Sequence, residues 1–283
     1  MKLRSAGVSV ALLCLAQIYS HAAPCPFDTN KMEFAGTPVE QARCLLRPVL
    51  EFGRLGQPLA KLPAPLEDLI GRPVTISRAE VQAYLTAHNI PDTAVAGPVT
   101  NTLRAKYFVI HDTSTPNYHD KPFPADINDP AWRFNDLALA SKGKVAHFFV
   151  NRAGESIAAH PITVPWRATK FERTPPETTE PKHGLFIHTE MIQPRRTDPS
   201  GHAGNDGIAP KPGFTEPQLE RLALLYVVAS VQHGQWMVPT YHCTLDTGIP
   251  DGHDDPQNFD LALWAKKVGA LITTLESTDK PAK

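Results

Sequence analysis

Three separated stretches of the chain each end in groups able to hold a metal or move a proton. They are Tyr107-Phe-Val-Ile-His111, Gly184-Leu-Phe-Ile-His-Thr-Glu190, and the segment from His242 to Asp255. Two neutral imidazoles and one carboxylate make a known tripod for a catalytic zinc ion, whose fourth position stays open to water. A further carboxylate that touches the water but not the metal is the usual partner for proton transfer. Alone, each residue says little. Together, and in this order, they point to a zinc hydrolase.

The order also carries a resemblance. Its blocks are Phe108-Val-Ile-His-Asp-Thr113, Ala146-His-Phe-Phe-Val-Asn-Arg-Ala-Gly154, Ile187-His-Thr-Glu190 and Asp254-Asp-Pro-Gln-Asn-Phe259. They resemble the type-2 N-acetylmuramoyl-L-alanine amidases, the family that includes an amidase-type phage lysozyme and the peptidoglycan recognition proteins. The first block is similar to the family's first strand and metal ligand, and the second to its second strand and hairpin turn. The third stands where the family usually has Ile-Gly-Ile-Glu. The fourth resembles its Asp-Pro-Gly-x-x-Phe element. The similarity covers residues 101–275.

That resemblance implies Zn²⁺ held by His111, His242 and Asp255, with Glu190 as the catalytic glutamate. His253 stands two residues before Asp255, where many members carry lysine, and is expected to help stabilise the oxyanion. The reaction implied is hydrolysis of the amide between N-acetylmuramic acid and L-alanine, with peptidoglycan or muropeptides as substrate. His188 departs from the family's usual glycine. It shares a strand face with Glu190 and is expected to bind substrate, with tuning of Glu190, contact with zinc and simple space-filling left open. His147 is expected behind the ligands, because the family's histidine there does not bind the metal. Ala146 falls where the phage enzyme has a tyrosine near the metal, so that role is absent or moved. The gap from His242 to Asp255 is longer than in most relatives, which keeps Asp246, Asp251 and Asp254 open as substitute ligands. Two other functions stay open: a non-catalytic peptidoglycan-binding module, and a zinc peptidase cutting the stem peptide.

Composition bounds these readings. Residues 1–22 combine Lys2 and Arg4, an apolar run from Ala6 to Ile18, and Ser20-His-Ala22, the pattern of a secretory signal peptide. The run is shorter than the ~20 residues of a membrane span, so an exported protein without stable membrane insertion is expected, periplasmic or secreted. Without Lys2 and Arg4, the 28 basic and 29 acidic residues become 26 and 29, a net charge of −3. No basic stripe suggests nucleic acid. Cys25 and Cys44 could close a disulfide in an oxidising compartment, leaving Cys243 as a buried, inert thiol.

The elements that must position these groups alternate between strand and helix. Apolar runs predict strands at 107–111, 145–150 and 185–192, and Asn151-Arg-Ala-Gly154 predicts a hairpin turn into 155–160. Capping boxes open helices at Ser77-Arg-Ala-Glu80 and Thr215-Glu-Pro-Gln218, and a last helix is expected over 260–275. The sum is an α/β fold, a mixed central sheet flanked by helices, with a small, mainly helical N-terminal extension. The domain reading is a leader at 1–22, the extension at 23–100, the zinc amidase domain at 101–275, and a tail at 276–283. Within the extension, helix is expected over 38–52 with a break at Pro48. Long proline-rich connections at 114–135, 161–183 and 193–213 have no period and are expected either to wall a substrate groove or to be flexible surface insertions.

Overall fold

The computed structural model describes residues 23–99, 102–174, 182–197 and 207–277. The leader read in 1–22 lies outside the described residues, as does the tail beyond 277. No described helix is long and apolar enough to cross a membrane.

Five strands make one mixed sheet: β1 (Tyr107–Asp112), β2 (Phe148–Val150), β3 (Ser156–Ala158), β4 (Phe186–Met191) and β5 (Val238–Tyr241), in the spatial order β3-β2-β4-β1-β5. β2 and β3 form an antiparallel hairpin, and every other neighbouring pair is parallel. The near-continuous apolar runs of β1 and β2 follow from this placement, since strands covered on both faces have no solvent side to show. The hairpin turn needs glycine twice over. Gly154 has φ +83, and a Cβ there would lie 2.6 Å from the Pro217 Cβ. β5 was not foreseen as a strand. Its Pro239 gives no ladder donor, which an edge position tolerates. β2 begins later than expected, because Lys144 is left-handed and Val145 is exposed.

Four longer helices frame the sheet, and among the shorter turns of helix one starts at the site. α1 (Pro38–Leu45), α2 (Arg78–Ala87) and α3 (Glu216–His233) each open on a formed capping box, at Thr37/Glu40, Ser77/Glu80 and Thr215/Gln218. α1 ends three residues ahead of Pro48, whose ring disfavours helix in the residue before it. α4 (His242–Leu245) is a single turn, and α5 (Leu261–Ser277) closes the described chain. α3 is buried along most of its length and covers one sheet face, with Tyr226 set edge-on to Phe108 at 5.6 Å and to Trp264 of α5 at 5.3 Å.

The N-terminal extension covers the other face. Phe34 stands perpendicular to Tyr107 at 5.2 Å, and Tyr107 stacks on Phe186 at the same distance. The Tyr107 hydroxyl donates to Gln41 Oε1 at 3.0 Å and accepts from the Phe34 amide at 2.9 Å. α1 packs against β5. A disulfide joins Cys25 to Cys44, as the cysteine count allowed. One apolar core runs unbroken from the extension into the sheet. Burying a side chain such as Phe34 is worth ~1.5–3 kcal/mol, so the division at residue 100 marks a change in sequence and not a break in packing.

Candidate metal centre

Strand register assembles the centre. His111 and Glu190 are direct partners across β1 and β4, and Ile110 pairs with Tyr241 across β1 and β5. His242 follows Tyr241, so Glu190, His111 and His242 stand in a row at the carboxyl ends of three parallel strands. Open α/β sheets present ligand sites at that edge. Asp255 arrives on a loop fixed at two points: its carbonyl accepts from the Cys243 amide at 2.8 Å, and its Oδ2 accepts from the Asp112 amide at 3.0 Å. Beneath it, Arg195 Nη2 donates to Asp112 Oδ2 at 2.8 Å and reaches Asp254 Oδ1 at 3.7 Å. That pairing turns Asp254 away from the histidines. Asp251 is exposed on the loop with φ 53. Asp255 is therefore the aspartate that joins His111 and His242.

The donor atoms converge. His111 Nδ1 lies 2.9 Å from His242 Nδ1, and Asp255 Oδ2 is 3.3 Å from His242 Nδ1 and 3.8 Å from His111 Nδ1. Metal bonds of ~2.0–2.1 Å at tetrahedral angles separate neighbouring ligand atoms by ~3.3 Å, which is the mean of this set. The far side of each ring explains why Nδ1 faces inward. His242 Nε2 lies 3.1 Å from Asp246 Oδ2, and a carboxylate there favours a proton on Nε2 and a lone pair on Nδ1. His111 Nε2 lies 3.0 Å from His188 Nδ1. Two imidazole lone pairs and a carboxylate pointed at one another repel unless a proton or a metal cation lies among them. Buried as they are, these groups could hold a metal ion.

Glu190 Oε1 is 4.0 Å from His111 Nδ1, and its Oε2 is buried without a hydrogen-bond partner. Burial, reinforced by the Asp255 charge, pushes the Glu190 carboxyl well above its ordinary range. Burial also drives His111 well below its ordinary range, with His242 adding to the effect. Burial opposes charge on His242 as well, yet Asp255 and Asp246 outweigh it and hold that imidazole well above its usual value. Asp255 shows the counterpart: burial would raise it, and the His242 charge brings it down.

The remaining residues fall around this set. His253 stacks on His242 at 4.2 Å, places Nδ1 2.9 Å from Asp246 Oδ2, and keeps its side chain 40% exposed. Asp246, considered above as a substitute ligand, instead faces the outer edge of His242, and with His242 and His253 it forms a second, adjoining group able to approach a metal. His188 does not fit the substrate-contact expectation. It is 0% exposed, with Nδ1 on His111 and Nε2 3.3 Å from Glu172 Oε2. His147 lies behind it, accepting from the His188 amide at 3.1 Å. Ala146 is buried and offers no polar group.

Glu172 was missed in the sequence, where it sits inside the aperiodic connection 161–183. A signal was present in Thr169-Lys-Phe-Glu172, which has the spacing of a capping box. Both bonds form beside a turn at Phe171–Arg173: the Thr169 amide donates to Glu172 Oε2 at 3.0 Å and the Glu172 amide to the Thr169 hydroxyl at 3.3 Å.

Glu190 lines a cavity of about 310 Å³ together with Thr113, Thr115, Phe134, Leu139 and Val145. Thr115 and Phe134 of this wall come from the first long connection. A larger cavity of about 440 Å³, between residues 102–105 and 162–165, contains none of these groups. No family model, no curated protein and no solved structure matches the chain.

Proposed function

We propose that the protein is a zinc-dependent hydrolase acting on an amide of peptidoglycan, the bond between N-acetylmuramic acid and L-alanine. The observation that carries this reading is the convergence of His111 Nδ1, His242 Nδ1 and the Asp255 carboxylate beside Glu190, which itself lines a cavity. Two imidazoles and one carboxylate suit zinc, and a three-residue set leaves a position for water or substrate. Zinc bound there supplies Lewis acidity and lowers the pKa of water toward ~7.

The protein's own groups do the rest. Glu190 takes a proton and returns it to the departing amine, a role suited to a carboxyl that stands 4.0 Å from His111 Nδ1 without taking a ligand position. His253, partly exposed, stacked on His242 and braced by Asp246, is the residue assigned by the resemblance to steady the developing oxyanion. The cavity, with apolar Leu139 and Val145 at its edge, receives the substrate. The four resembling blocks support the choice of bond and the amidase-like fold. The leader-like residues 1–22 support export to where intact peptidoglycan lies.

Purified sacculi test the proposal directly. Mass spectrometry should find intact stem peptides released and a free carboxyl on muramic acid, with release abolished by a chelator and restored by zinc. Shortened stem peptides would instead identify a peptidase, and binding without release a recognition module.

A further inference from the structure

We propose that Glu172 and His188 form a buried relay that fixes the tautomer of His111 and so presents His111 Nδ1 to the metal. The inference rests on the metal-site reading above and is independent of which bond is cleaved.

The argument starts at the outer end. Glu172 Oε2 accepts from the Ala168 and Thr169 amides, both at 3.0 Å, and from the Thr169 hydroxyl at 2.9 Å. Those three donors pin an acceptor in place, and an ionised carboxylate can only accept. His188 Nε2 lies 3.3 Å from that same oxygen, a close contact without full hydrogen-bond alignment. A ring nitrogen facing a buried anion carries its proton there, since a lone pair would meet the oxygen's own. His188 Nδ1 is then the bare nitrogen. It faces His111 Nε2 at 3.0 Å, and one of that pair must donate. The proton therefore belongs to His111 Nε2, which leaves His111 Nδ1 as a lone pair directed at His242 and Asp255.

A second ring agrees. His147 Nε2 lies 2.9 Å from the Val164 carbonyl, which can only accept, so the proton sits on Nε2. Its Nδ1 is then free to accept from the His188 amide, as the 3.1 Å contact requires. This holds the backbone of His188 in register with the relay. His188 and the Glu172 side chain are wholly buried, so water cannot substitute for either partner. The connection 161–183 thus reaches the metal site through its buried glutamate. Partners that orient a ligating histidine typically change metal affinity ~10–100-fold when removed. Glu172 and His188 are positioning residues; they act through His111.

The test compares zinc dissociation constants, by competition with a chromophoric chelator, for the wild type, His188→Leu, His188→Asn and Glu172→Ala. His188→Leu fills the space but cannot accept, and should weaken binding ~10–100-fold, with Glu172→Ala weakening it in the same direction. Asn retains an acceptor oxygen near the Nδ1 position, so His188→Asn should stay within roughly threefold of wild type. Unimpaired zinc affinity in a folded His188→Leu protein would overturn the relay.

Long-range ¹H–¹⁵N spectra of the wild type, with and without zinc, give a readout that needs no variant. They should show His111 and His188 protonated at Nε2 and His188 Nδ1 bare. A proton on His188 Nδ1 in both states would also overturn it. Failure of the wild type to bind zinc at all would sink the metal-site reading instead, while the ring spectra of the zinc-free protein would still decide the relay.

Discussion

Glu190 Oε1 and His111 Nδ1 stand 4.0 Å apart on adjacent parallel strands, as direct register partners. That separation is too long for a hydrogen bond and suits a bridging water. A carboxylate so placed can handle a proton without taking a ligand position.

Glu190→Gln should therefore keep zinc and fold while turnover falls ~10²–10⁴-fold, the usual contribution of proton transfer. Metal content by mass spectrometry and turnover on sacculi check both halves. A variant with wild-type turnover would remove Glu190 from the chemistry.

His111→Ala and His242→Ala should each lose zinc and activity together, because two remaining ligands hold the ion poorly. His253→Ala should keep near-stoichiometric zinc, since its ring stacks behind His242 and lies outside the His111–His242–Asp255 set. Metal analysis of dialysed protein distinguishes the three.

Much of this arrangement was legible in the sequence, for local reasons. Ser77 with Glu80 and Thr215 with Gln218 are contacts within one helical turn, so their spacing alone located α2 and α3. The runs at β1 and β2 were legible because strands covered on both faces are largely apolar. β5 was hidden by its shortness and by Pro239, which is tolerated only at an edge that the sequence does not mark. His188 was misread because strand alternation correctly gave it the face of Glu190 but said nothing of depth along the strand. Two residues nearer the core, that face is closed by Glu172 of the 161–174 segment. Glu172 depends on a contact with a distant strand, and no local period reports such a partner.

Zinc uptake should strengthen as pH rises. Asp255 and Asp246 outweigh burial and raise the His242 pKa, so the zinc-free protein holds a proton there that the metal must displace. The sign follows for stability as well. The protonated ring stabilises the zinc-free fold fully below the ordinary value of ~6.5, and that contribution fades as pH climbs through the raised folded value. Affinity should thus fall about tenfold per unit below the His242 pKa and level off above it. Calorimetry in two buffers of different ionisation enthalpy, on Glu190→Gln so that the glutamate does not contribute, should count about one proton released per zinc.

Gly53→Ala should couple a change in the extension to the metal loop. Gly53 has φ +66, and a Cβ there would sit 2.6 Å from the Asp254 Cβ. Left-handed strain alone costs on the order of 1 kcal/mol or more, and the collision displaces the residue next to Asp255. A lower Tm together with weaker zinc binding is expected. A lower Tm with unchanged zinc affinity would show that the loop absorbs the push.

Thiol labelling of the folded protein should leave all three described cysteines unmodified. Cys25 and Cys44 are paired, and Cys243 is buried with its thiol pushed far up by that burial. Reduction should cost roughly 3 kcal/mol of stability in the chain-entropy account of a loop this size, read as a lower denaturant midpoint.

The packing of α1 on β5 also sets an order of events during synthesis. The first helix of the described chain docks against the last strand of the sheet, so the segment made earliest waits for one of the segments made latest. Contacts this distant along the chain slow folding, because a long loop must close before they contribute. Until β5 arrives, α1 lacks its sheet partner and His111 lacks His242. The nascent chain therefore spends its growth with both an apolar helix face and a half-built metal site uncovered, and the two are closed by the same late strand.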